Sequence, residues 1–338
     1  MKLVSAFAAF ILSTAAVTVK AQDYPPMRLK YGSVLPANNV VSDVDKFFVE
    51  RVKQKSNGKI VIDIYWTSAL GKPQEMLPLI SAGAVDFTMF LTGQYSETPL
   101  LGFMNALPLA HFDSQKVVDI SKALYEQSGG IQKELDKIGA KVLLVRPTPI
   151  YQLLCRKPYE TLADLRGAKL RSYGAYVPVM WQALGANPVN VSPTELYDSL
   201  SKGIFDCAYW NPPFHADAKL YEVAKYLIDV DFGVIELAPI VVPVTVWNQW
   251  PAPVQKLFLE VAREAEVYGI KHIRENSLQS VDFMVKNGVR IVKFKETAQL
   301  RKAVPNMVEI WLQKQKDAGR GADAEQIVQL MKARSASN

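Results

Sequence analysis

The sequence predicts an α/β protein of two lobes with a ligand cleft between them. Three observations carry this expectation. Apolar strand-like segments alternate with helical ones along most of the chain, the pattern of mostly parallel sheets. With 338 residues and 49% hydrophobic content, the chain is long enough for two cores. One helical pattern, over about residues 252–286, is roughly 50 Å long at about 1.5 Å per residue, which exceeds a small lobe, so it is expected to run along or across both.

The first 21 residues are read as a signal peptide. Lys2 is followed by an apolar run from Leu3 to about Val17, and Val19-Lys20-Ala21 offers small residues at the −3 and −1 positions for cleavage after Ala21. The run is too short to span a bilayer comfortably, so the expected product is an exported, periplasmic protein. Removing Lys2 and Lys20 leaves 37 basic against 33 acidic residues. The basic residues are interleaved with acidic ones, as in "RVKQKSNGK", and not clustered into the stripe that nucleic acid requires. Export makes a disulfide chemically accessible to Cys155 and Cys207. Each lies in its own apolar run, and the reading adopted is two buried free thiols, with a disulfide as the alternative.

From the mature start, "RLKYGSVLP" reads as a strand, followed by a helix near 40–56 with Val41, Val44, Phe48 and Val52 on one face. "GKIVIDIYW", a helix over "PQEMLPLISAGA" and the strand "DFTMFLT" complete a βαβαβ run. A helical stretch from Ser114 to Ile138 precedes the strand "AKVLLVRP". A second series begins near Tyr151, with strands "YQLLCRK", "AKLRSY", "NPVNV" and "FDCAYW" and helices at about 175–185 and 193–202. Ser192, Pro193 and Glu195 form a capping-box start for the latter. "KYLIDVDFG", a long strand "APIVVPVTVW", the helix of about 252–286, "VRIVKF" and two helices finish the chain. The expected division is residues 22–150 plus about 234–270 in lobe I, and 151–233 plus about 271–338 in lobe II. In open α/β sheets ligands bind beyond the strand ends, which places Arg171, at the end of "AKLRSY", at the cleft.

Catalytic signatures are missing from the sequence. His111, His215 and His272 are isolated, with no HExxH and no CxxC, and there is no GxGxxG, Walker loop or GxSxG. The expectation is a non-enzyme without cofactor or metal; of the histidines, His215 is the one placed to line a cleft.

The pieces "DLRGAKLR", "ALGANPV", "ELYDSLSKG" and "DCAYWNP", in that order between Thr161 and Pro212, carry a resemblance. So do "YGSVLPANNVVSDVDKFFVERVKQKSNGKI" and "SALGKPQEMLPLISAGAVDF" upstream. Over nearly the whole mature chain the sequence resembles the solute-binding proteins of TRAP (tripartite ATP-independent periplasmic) transporters. The resemblance implies the two-lobed periplasmic binding protein fold, an organic-acid ligand and delivery to TRAP membrane permease subunits. It implies that Arg171 pairs with the ligand carboxylate through its planar, forked guanidinium. It makes Asn211 a second partner and Glu75 a first-lobe contact of unassigned role; Asn39, in the first quoted stretch, completes the polar set. Where many members carry a Phe-Arg pair, this chain has Tyr151-Gln152, so Gln152 is expected to donate a hydrogen bond without charge. Tyr173, Trp210, Phe214, Tyr95 and Phe90 are expected to form aromatic walls, suiting an acid with an apolar or aromatic body. Rival readings are a binding protein of an ATP-driven importer and a subunit presenting its ligand to a sensor kinase. A monomer is the default for a diffusing shuttle.

Overall fold

The computed structural model describes residues 23–336, apart from 73–74, 93–94, 96 and 235–238. The expected signal peptide therefore lies outside the described residues. Among those described, no helix is long and apolar enough to cross a membrane.

Among the described residues eleven strands form two sheets. In chain order they are β1 (Met27–Gly32), β2 (Ile60–Tyr65), β3 (Phe87–Met89), β4 (Ala140–Leu144), β5 (Gln152–Cys155), β6 (Lys169–Ser172), β7 (Asn187–Asn190), β8 (Cys207–Trp210), β9 (Tyr226–Asp229), β10 (Ile240–Pro243) and β11 (Arg290–Lys293). The first sheet has the order β2-β1-β3-β10-β4 and the second β11-β9-β5-β8-β6-β7. β1 runs parallel to β2 and β3, and β6 runs parallel to β7 and β8, as the βαβ pattern requires. One strand in each sheet runs against its two neighbours: β10 between β3 and β4, and β5 between β8 and β9. These are the strands by which the chain enters each sheet from the other lobe.

The reversal of β5 settles the cysteines. Cys155 and Cys207 face each other directly in the antiparallel β5–β8 pair and form a disulfide, with Cα atoms 4.1 Å apart. The expectation of free thiols is corrected. Adjacency across a sheet depends on strand direction and register, which the sequence of the two runs does not show.

The helix Val40–Lys55 buries Val40, Val41, Val44, Phe48 and Val52, and Asn39 caps it by accepting from the Val41 N–H at 2.9 Å. Asp45 falls inside this apolar stripe. It pairs with Arg146, just beyond β4, and both side chains are fully buried. The stretch expected as one helix from Ser114 to Ile138 is broken at Ser128. That residue is extended and caps a second helix, giving Ser114–Gln127 and Gly129–Ile138. The long strand expected over "APIVVPVTVW" gives way to a helix, Val244–Gln249, directly after β10.

The helix Ala252–Lys286 runs along both lobes, as its length demands. Its first half packs Val254, Leu257, Phe258 and Val261 into the core with β1, and near its end Met284 enters the core with Leu154 and Leu227. Glu266, in its middle, accepts from the Val145 N–H at 3.1 Å and pairs with Lys122 at 2.6 Å, pinning the first crossing between lobes. Two crossing segments are themselves paired. The Tyr151 N–H donates to the Gly233 carbonyl (3.0 Å), and the Phe232 N–H donates to the Tyr151 carbonyl (2.9 Å). Gly233 has φ +84°, and a Cβ there would lie 2.4 Å from the His111 carbonyl oxygen, so this close approach requires glycine.

The expected lobe assignment of the C-terminus is also corrected. Met307, Trp311, Ala324, Ile327, Val328 and Met331, from helices Met307–Asp317 and Gly321–Ala336, share a core with Phe90, Phe103, Val117 and Leu124 of lobe I. Their apolar faces find cover there, and nothing in their own periodicity specifies which lobe supplies it.

Candidate functional site

Arg171 occupies the third position of β6, and its side chain turns inward, leaving the residue 4% exposed. Its Nε–H donates to the Val191 carbonyl at 3.3 Å, and Nη1 donates to the Tyr209 carbonyl at 2.9 Å. The Tyr173 ring lies 4.7 Å and the Trp210 ring 5.3 Å from the guanidinium carbon, both within cation–π range. Trp181 Nε1–H donates to the Arg171 carbonyl at 3.2 Å and holds the strand end in place. Two of the five guanidinium N–H groups are thus used in fixing the fork, and three remain.

Among the described residues no carboxylate pairs with Arg171. The contrast with Arg146 is informative. Arg146 is equally buried but is neutralised by Asp45, so it has its counter-ion within the fold. A buried, uncompensated cation is costly, and a fold keeps one where an anion arrives from outside.

Asn211 follows Trp210 and caps the helix Pro212–Asp217, its Oδ1 accepting from the Phe214 N–H at 3.2 Å. Its amide nitrogen Nδ2 is buried with no hydrogen-bond partner. The cap therefore orients the amide and leaves its donor end available. Phe214 stacks on Trp210 with centroids 4.5 Å apart and also packs against the lobe I core, so this wall reaches both lobes. Tyr151 continues the aromatic surface, 6.1 Å from Tyr173 and 5.1 Å from Tyr209.

Of the ten residues singled out from sequence, the structure brings together Arg171, Asn211, Tyr173, Trp210 and Phe214. Gln152 pairs across the sheet with Trp210, but its amide nitrogen donates to Asp231 at 2.7 Å. One of its two amide N–H groups is thus used at the crossing, and its Oε1 is buried without a hydrogen-bond partner. In lobe I, Asn39 is a helix cap, and the Glu75 carboxylate accepts from the Lys72 N–H at 2.7 Å, closing its own loop. Phe90 and Tyr95 stack at 4.3 Å within the lobe I core. A neighbouring carboxylate, Glu134, accepts from the Leu100 and Leu101 N–H groups and anchors the chain that follows Tyr95.

Comparisons with known proteins converge on one family. Residues 31–315 match the model DctP, described as bacterial extracellular solute-binding protein, family 7. The chain belongs to this family of TRAP solute-binding proteins. The 2,3-diketo-L-gulonate-binding periplasmic protein YiaO of Escherichia coli is 24% identical over 327 residues, covering 96% of this chain and 97% of that protein. DctP7 of Bordetella pertussis, an extracytoplasmic solute receptor binding pyroglutamic acid, superposes with a TM-score of 0.76 at 22% identity, covering 90% of this chain and 99% of that one. A TRAP periplasmic solute-binding protein from Sulfitobacter, with bound β-D-galacturonate, gives 0.75 at 19% identity, covering 92% and 100%. The two-lobed fold of this solute-binding protein is thereby shared with its structural neighbours.

Proposed function

We propose that this solute-binding protein captures an organic acid between its lobes and delivers it to a TRAP-type permease in the periplasm. The observation that carries the reading is Arg171, 4% exposed, fixed by two backbone carbonyls and without a counter-ion among the described residues. The ligand carboxylate supplies that counter-ion through the remaining N–H groups, with Asn211 Nδ2 as the next donor. Tyr173, Trp210 and Phe214 form the wall along the rest of the ligand, which favours an acid with an apolar or aromatic body. The neighbours that bind pyroglutamic acid and galacturonate support the carboxylate as the shared element. Closure is stabilised by ligand because only the closed form lets both lobes contact it.

The test is thermal unfolding of the protein, freed of ligand by unfolding and refolding, against carboxylic acids and their matched amides. A ligand at a hundred times its dissociation constant stabilises by about 2.7 kcal/mol. Acids are expected to raise the melting temperature while their amides leave it unchanged. Amides acting as well as acids, or no effect from any acid, would overturn the reading.

A further inference from the structure

The helix that Asn211 caps carries a second polar side chain on the same face. His215 lies one turn on, and its backbone N–H donates to the Asn211 carbonyl at 3.0 Å. Helical side chains lean back toward the N-terminus, so the imidazole leans toward Asn211 and the end of β8, where Arg171 is docked. His215 is 0% exposed, and neither ring nitrogen has a hydrogen-bond partner of normal geometry. Together with Asn211 Nδ2, three buried polar nitrogens on one helical face lack a hydrogen bond of normal geometry, within electrostatic reach of the unpaired guanidinium. One ring nitrogen faces an acceptor, the Gln152 carbonyl, and the other has no partner within the core. A metal does not explain it, since no group of three His, Cys, Asp or Glu side chains among the described residues could hold one.

The imidazole is neutral. Burial drives its pKa down to about 3; the Gln152 carbonyl beside the ring opposes this, and the charge of Arg171 adds to it. A neutral imidazole has one N–H and one lone pair. The Gln152 carbonyl favours the proton on the nitrogen that faces it, which leaves the lone pair on the other.

Resting on Arg171 as the carboxylate anchor, we propose that His215 is a specificity determinant: it accepts a hydrogen bond from a hydroxyl or N–H that the acid carries beside its carboxylate. Asn211 Nδ2 donates to an oxygen of the same ligand. A neutral donor suits the site better than an ammonium, because Arg171 has no carboxylate beside it to balance a second cation. The preferred ligands are therefore 2-hydroxy acids and acids with a neutral N–H on the α-carbon, over the same acids without that group.

The experiment is isothermal titration of the ligand-free protein with two matched pairs, mandelate with phenylacetate and pyroglutamate with 3-oxocyclopentanecarboxylate. The wild type is expected to favour the donor-bearing member by about tenfold, the worth of one buried hydrogen bond. His215→Phe should reduce that preference to within about threefold while the donor-free acid binds as before. His215→Gln, which keeps an acceptor oxygen, should restore most of it. Arg171→Ala should weaken both members alike. A His215→Phe protein that keeps the preference, or loses both acids equally, overturns the role of His215 and leaves the anchor standing. Failure of all four acids to bind the wild type removes the anchor and this inference with it. Should His215→Phe not fold, the imidazole ¹⁵N shifts of the wild type decide. The acceptor nitrogen is expected to move with mandelate and not with phenylacetate, and equal shifts overturn the proposal.

Discussion

Replacing Arg171 with lysine keeps the charge and removes the fork. In the structure the guanidinium serves the Val191 and Tyr209 carbonyls, and a bidentate carboxylate would add two further contacts, making four in all. An ammonium has three N–H groups, pointing tetrahedrally, so at least one contact is lost and a second is badly aimed. Hydrogen bonds to charged groups are worth about 1.5–3 kcal/mol each, so one to two of them amount to roughly 2–5 kcal/mol. The dissociation constant should rise roughly 30-fold to several-thousand-fold. Isothermal titration of the refolded, ligand-free variant with an acid that binds the wild type measures this directly, and the apo melting temperature serves as the control for folding. Affinity within about threefold of wild type in a folded variant would refute the reasoning and remove Arg171 as the anchor.

Asp45→Asn removes the charge that balances the buried Arg146 and should destabilise the protein by about 3–5 kcal/mol in urea unfolding; an unchanged midpoint would show that Asp45 is not the neutraliser. Reducing the Cys155–Cys207 disulfide, or replacing both cysteines with alanine, releases a loop of 52 residues. It should lower stability by up to about 4 kcal/mol on chain-entropy grounds, seen as a lower urea midpoint under reducing conditions. His215 and His111 are held near 3 and 4 in the fold, mainly by burial, against about 6.5 in the unfolded chain. Below pH about 6.5 the unfolded chain binds protons that the fold refuses, so these groups make stability fall as the pH drops from there toward 4. Asp217, raised to about 6 by burial and by Asp43, acts in the opposite sense between about 6 and 4. The difference between wild type and His215→Gln melting curves across pH isolates the histidine: the wild type should lose more stability on acidification, and parallel curves would contradict its burial in the neutral form.

The places of Arg171 near a strand end and of Asn211 after the next were legible because local motifs surround them, and the βαβ alternation predicted those strands. Asn211 nevertheless has a second role that its motif does not display, since capping Phe214 is what points its amide. Glu75, Asn39 and Gln152 were read as ligand contacts from their positions in matching segments, and each also makes a hydrogen bond within the fold, to Lys72, Val41 and Asp231. What a polar side chain bonds to is set by neighbours that can be far along the chain, as Asp231 is from Gln152. The disulfide needed the direction of β5, and that direction follows from the crossing between lobes. Asp45 did leave a signal, a carboxylate inside an apolar stripe, but its partner lies 101 residues away.

The return of the last two helices to lobe I imposes an order on folding. Lobe II has its core complete once the chain has reached Leu300, whereas lobe I still lacks Trp311, Ile327 and Met331. The Phe103 ring, 4.4 Å from Trp311, lacks that contact until that stretch has been made and docked. The lobe that begins first therefore finishes last, and its early segments wait through the synthesis of an entire second lobe. A chain cut short before Met307 would present a bare apolar face to chaperones and proteases, and would not survive as a weakened binder.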